Sequence, residues 1–124
     1  MSLKFENLEV WKKALDLTYE THMLTRGFPR DESYILTSQM KRAADSVCLN
    51  IAEGSTGQSD KEFNRFLGIA LRSAVEVVAC IYIATRRDLI TQKEFDRFYM
   101  LLMQIVKMIQ SFRNTLTSKK IVRR

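Results

Sequence analysis

Glycine and proline together supply only five of the 124 residues in this chain, about 4%, where soluble domains average near 12%. A chain so short of turn-forming and helix-breaking residues can make few connections, so long helices are expected. With 46% hydrophobic residues in 14.5 kDa, it can fill one modest core and is too apolar to remain disordered.

The few breaks divide the chain into four helical segments. The first spans about residues 7–26, where Leu8, Trp11, Leu15, Thr18 and His22 recur at spacings of three and four and predict the buried face. Gly27-Phe28-Pro29 closes it: glycine accepts a left-handed cap, and proline cannot continue the hydrogen-bond ladder. The second spans about residues 31–53, with Asp31 as cap and Leu36, Met40, Ala43, Val47 and Ile51 as its apolar stripe. Gly54 is expected to end it, ahead of a short polar connector.

The third segment covers about residues 59–87 and opens on a Ser59/Glu62 capping box. Phe63, Phe66, Ala70, Ala74, Val77, Ile81 and Ala84 supply its stripe, and between Ala74 and Ala84 only Glu76 is charged. The fourth covers about residues 92–117 behind a Thr91/Glu94 box. Phe95, Phe98, Leu102, Ile105, Ile109, Phe112 and Leu116 form its seam, flanked by Tyr99, Leu101, Val106 and Met108. The fold class expected is all-α, an antiparallel up-down-up-down four-helix bundle over residues 1–117. Helices three and four carry more apolar surface than one bundle face can bury, which points to self-association.

The residues that ordinarily carry catalysis are sparse. His22 is the one histidine in the sequence and falls in line with the expected stripe of the first helix, as a packed side chain would. No HExxH or Glu-x-x-His pair occurs, so a bundle metal site would lack its imidazoles, and no metal or cofactor is expected. Cys48 and Cys80 sit inside apolar patterns without CxxC spacing and read as buried free thiols, suited to a reducing cytosol. Gly54-Ser55-Thr56-Gly57 lacks the Gly-Lys-Ser/Thr ending of a phosphate loop, since Gln58 follows Gly57. A non-enzymatic protein is expected.

Two features remain as candidate sites. The row Arg42, Ser46, Asn50 and Glu53 lies beside the apolar stripe of the second helix. Glu76, amid valines and alanine, needs a partner if buried; Arg72 is four residues earlier on the same face, and Arg42 or Asn50 could reach it from the second helix. These residues predict a structural polar network between helices or subunits. The second feature is charge. Residues 1–96 hold 13 basic and 14 acidic groups, a net of −1, while residues 97–124 hold seven basic and no acidic groups. Arg97, Lys107, Arg113, Lys119, Lys120, Arg123 and Arg124 are thus the candidate nucleic-acid contacts, with residues 118–124 read as a basic arm. In an oligomer several such arms would act together. The alternative is a solvated tail that suits the helix dipole, on a protein whose apolar surplus docks another polypeptide.

The N-terminus carries no apolar stretch before a cleavage site, and the longest apolar run, Val77 to Ala84, is too short for a membrane span. A soluble cytoplasmic protein without membrane contact is expected.

An ordered set of short motifs completes the sequence picture. Phe5-x-x-Leu8-x-Val10-Trp11-Lys12-Lys13-Ala14, Phe28-Pro29-x-x-Glu32-x-Tyr34, Gln39-x-x-Arg42-Ala43-Ala44-x-Ser46 and Asn50-Ile51-Ala52-Glu53-Gly54 follow one another along the chain. Phe63-x-x-Phe66-Leu67-x-Ile69-Ala70, with Ser73 and Glu76, continues the series. Over about residues 5–116 this resembles the four-helix-bundle 23S rRNA intervening-sequence protein family. The resemblance implies a small bacterial bundle without enzymatic activity or cofactor. It also implies a relation to the accessory variability protein of diversity-generating retroelements, a pentameric barrel that binds nucleic acid and a reverse transcriptase. A homopentamer that binds RNA or DNA is therefore the expected assembly, with a protein partner as the alternative.

Overall fold

The computed structural model describes residues 2–57 and 59–122, with side chains as far as Ser118. Four helices carry the chain: α1 (Glu9–Thr25), α2 (Ser38–Ser55), α3 (Asp60–Arg86) and α4 (Gln92–Val122). No strand occurs among the described residues. Partners across the helices fix their directions. Ser46 meets Ser73 and Gly54 meets Phe66, so α2 and α3 are antiparallel. Tyr82 meets Phe95 and Asn64 meets Arg113, so α3 and α4 are too, while Glu20 meets Arg97 between α1 and α4. The result is an antiparallel up-down-up-down bundle in which each helix packs on its chain neighbours. The α2–α3 interface is the most extensive and the α1–α4 interface the narrowest of the four.

Three of the expected stripes are the core. Leu36, Met40, Ala43, Val47 and Ile51 are buried on the second segment, and Phe98, Leu102, Ile105, Ile109 and Leu116 on α4. On α3, Phe63, Ala70, Ala74, Val77, Ile81 and Ala84 are buried, and Phe66 is half-buried. Each large side chain so removed from water contributes roughly 1.5–3 kcal/mol. By length and composition α3 could cross a bilayer. Here its apolar stripe is instead sandwiched between α2 and α4.

On α1 the expected face is displaced. Val10, Ala14, Leu17, Thr21 and Thr25 point inward, whereas Leu15 is 47% exposed and His22 is exposed. The inward row looks polar in sequence because it holds two threonines. The Thr25 hydroxyl donates a hydrogen bond to the Thr21 carbonyl at 2.8 Å, which lets that side chain enter an apolar interior.

The helix ends also depart from expectation. Ser59 Oγ accepts the Glu62 amide at 3.1 Å, but the Glu62 carboxylate turns to Arg65 at 2.9 Å, so the α3 box is half made. The Thr91/Glu94 box is complete, with both reciprocal bonds present. Asp31 does not cap α2. A 3₁₀ turn (Arg30–Glu32) and a π turn (Ser33–Thr37) precede it, because Pro29 starts the segment extended and Glu32 is drawn away to Arg87. No described glycine takes a positive φ, so Gly27 does not supply a left-handed cap. That conformation falls to Asp88 after α3 (φ 59°), where Leu89 N–H reaches the Ala84 carbonyl at 2.8 Å. Gly54 lies inside α2, not beyond it: a Cβ there would stand 2.5 Å from Phe66 Cβ. Finally, α4 remains helical past residue 117 to Val122.

Candidate nucleic-acid interface

The basic half of α4 is the first site to place. Its charges do not form one patch. Arg97 reaches across to α1 and pairs with Glu20 at 2.6 Å, which offsets its charge locally. Lys107 is exposed and borders the seam between α1 and α4. That seam holds a groove of about 550 Å³, walled mainly by Leu8, Val10, Met108 and Phe112. Arg113 faces the other way, toward α3, where it is half-buried and its Nε–H donates to Asn64 Oδ1 at 2.9 Å. Arg123 and Arg124 lie outside the described residues, as do the side chains of Lys119 and Lys120. Steps of ten and six residues along a helix explain the spread, since they rotate the direction by roughly 280° and 240° at about 100° per residue.

The polar network is present but differently wired. Ser46 Oγ and Ser73 Oγ meet at 2.8 Å between α2 and α3, and Asn50 Nδ2 donates to the Ser46 carbonyl and Oγ at 2.8 and 3.0 Å. Arg42 turns to Ser38 Oγ at 3.1 Å. Glu76 accepts from Gln39 Nε2, not from Arg72, Arg42 or Asn50. Glu53 and Arg72 are exposed and make no side-chain hydrogen bond among the described residues. Gln39 belongs to the same row, three positions before Arg42, so carrying the period back one step finds it. The pattern is a structural join between two helices, with Glu76 at the half-exposed edge where its charge stays solvated.

Among the described residues no group of three histidine, cysteine or acidic side chains could hold a metal ion. Cys48 and Cys80 are free and buried. Burial, and then the Glu76 carboxylate, push the Cys80 thiol up to about 11. Burial and Asp45 push Cys48 up as well, with Trp11 opposing. Both are thus poorer nucleophiles than a free thiol.

Tyr82, Phe95 and Tyr99 form an aromatic ladder across α3 and α4, with centroids 4.9 and 5.7 Å apart. Tyr82 remains 56% exposed. Leu15, Tyr19 and Met23 also line up outward on α1, at helical spacing. The apolar surplus is therefore real and lies on several faces, not only on α3 and α4.

Comparison with known proteins agrees with this architecture. A crystal structure of a protein of unknown function from the S23 ribosomal protein family of Bacteroides thetaiotaomicron superposes with a TM-score of 0.79 at 24% identity. The match covers 84% of this chain and 97% of that one, which establishes a shared fold. No functionally curated protein matches. The model of the 23S rRNA-intervening sequence protein family matches residues 6–111. With its motifs, its four-helix core and that match over most of its length, the chain belongs to the 23S rRNA-intervening sequence protein family.

Proposed function

We propose that this chain is a non-enzymatic, self-associating bundle that binds RNA or DNA electrostatically through the basic C-terminal part of α4. The observation that carries the reading is the segregation of charge along the chain, a net of −1 over residues 1–96 against seven basic and no acidic residues over 97–124. Phosphate attraction needs positive charge more than it needs fixed geometry, which suits cations distributed around a helix. Exposed Leu15, Tyr19, Tyr82 and Ile83 support self-association, and five is the subunit number the family resemblance implies. Repetition of the α4 terminus would multiply a weak attraction by avidity. Two free buried thiols suit a reducing bacterial cytoplasm.

Light scattering of the purified chain is expected to return a closed oligomer, with a pentamer as the proposed state. Titration of structured RNA over a salt series is expected to give binding that weakens steeply with salt. A version ending at Thr117 should bind more weakly and with a shallower salt slope. Binding that ignores salt, or that survives truncation unchanged, would contradict the mechanism.

A second reading is a scaffold that docks a polypeptide, and the apolar α1–α4 groove favours it. Co-purification from the native host separates the two: enriched nucleic acid supports the first, an enriched protein without nucleic acid the second.

A further inference from the structure

Arg97 is held by a carboxylate, whereas Arg113 is held by a neutral amide. Its guanidinium lies flat over Gly68 of α3, where a Cβ would stand 3.2 Å from both terminal nitrogens and 3.3 Å from Cζ. Glycine inside a helix costs roughly 0.5–1 kcal/mol relative to alanine. Close approach of the arginine gives that glycine a physical reason. The Nε–H is used on Asn64. Arginine has five N–H donors, and the other four find no protein acceptor among the described residues. The four ion pairs among those residues, Lys12–Glu9, Arg65–Glu62, Arg87–Glu32 and Arg97–Glu20, leave Arg113 out.

The space in front of this guanidinium is a groove of about 490 Å³ between α3 and α4. Asn64, Leu71, Gln110, Arg113, Asn114 and Thr117 line it, and no carboxylate does. A half-buried cation fixed by a neutral amide, facing a polar groove lined by no carboxylate, can receive an anion. A planar fork with free terminal N–H groups matches the oxygens of a phosphate, and side-chain amides beside it can donate to the remaining oxygens.

We infer that Arg113, positioned by Asn64 and Gly68, is a seat for a single phosphate group, presented by the nucleic-acid backbone. The choice of nucleic acid as bearer rests on the proposed function; the seat itself rests on the geometry. Fixing the side chain in advance removes most of the ordering cost that a free surface lysine such as Lys107 must meet on binding.

Two titrations of the full chain test this. In the first, inorganic pyrophosphate is added while the isotope-labelled arginine Nε–H signals are followed by NMR, with Arg113 assigned through Arg113→Lys. A saturable shift of the Arg113 signal is expected. It should be lost in Gly68→Ala, whose methyl crowds the guanidinium without removing charge, and circular dichroism should confirm that this variant keeps its helices. In the second, a structured RNA is titrated. Arg113→Lys should weaken binding about tenfold although the charge is kept. Arg113→Gln should lower the salt slope by about 0.7–0.9, the share of one phosphate contact. Lys107→Gln should lower that slope similarly but cost less affinity. No saturable pyrophosphate shift overturns the seat, and so does an Arg113→Lys variant that binds RNA like the parent. A pyrophosphate response in a protein that binds no RNA keeps the seat and overturns the proposed function.

Discussion

Thr21 is fully buried and its hydroxyl oxygen has no hydrogen-bond partner, although its carbonyl serves Thr25. An unsatisfied buried hydroxyl costs about 1–3 kcal/mol, so Thr21→Val should stabilise the protein by about 1 kcal/mol in chemical denaturation. Asp88 offers a second gain. Its left-handed backbone strains an L-residue by roughly 1–2 kcal/mol, and glycine would remove that strain while adding chain entropy to the unfolded state. Asp88→Gly should therefore raise the unfolding free energy by about 0.5 kcal/mol, read in the same experiment. Neither position was legible from the sequence. Thr18 and Thr21 are the same residue type three positions apart, and only packing decides that Thr21 faces in. Gly27 reads as a left-handed cap, whereas that conformation goes to Asp88. The Ser46–Asn50 row was readable because its spacing is helical, but its partner Ser73 depended on how α2 and α3 register.

At the scale of the element, helix number and three of four core stripes followed from periodicity and the few breaks, and helix direction from the short connectors. Large apolar side chains dominate those stripes, so burial and hydropathy agree. The α1 stripe failed because its inner face is built from Ala14, Thr21 and Thr25, while Leu15 looks outward. The segment before α2 failed for a different reason, since the Glu32–Arg87 pair joins elements 55 residues apart. Gly54 illustrates how one residue sets an interface. Its missing side chain lets α2 approach Phe66 and Phe63 on α3. Gly54→Ala should cost about 1–3 kcal/mol by overpacking, despite the better helix propensity of alanine. A variant as stable as the parent would show that α2 and α3 can separate without loss.

At the scale of the whole molecule, the two thiols report on the integrity of the bundle. Cys48 is on α2, beside Trp11 of α1, and Cys80 is on α3; both are buried in packed helix faces. Both thiols have raised pKa values, so the folded state keeps their protons longer than the unfolded state does. Their stability contribution is therefore fully present below the ordinary value of 9.0 and declines above it, for Cys80 until about pH 11. At pH 8 a disulfide reagent such as DTNB should react slowly with the native protein and rapidly with both thiols after guanidinium unfolding. Prompt reaction of either thiol under native conditions would place it at a surface. The candidate interface was legible only as a charge balance. Where Arg97 and Arg113 spend their charge depended on Glu20 and Asn64, which lie 77 and 49 positions away in the chain.

The narrow α1–α4 interface has a kinetic consequence. Contacts between chain neighbours close short loops and form early, whereas joining the first helix to the fourth closes the longest loop and wins the least buried surface. The first three helices are therefore expected to assemble as an open trough before the last seam zips. The same seam should be the first to part in the native state, so the amides of α1 should exchange with solvent through a partial opening while those of α2 and α3 wait for global unfolding. Uniform protection across all four helices would mean that the seam is as firmly closed as the rest.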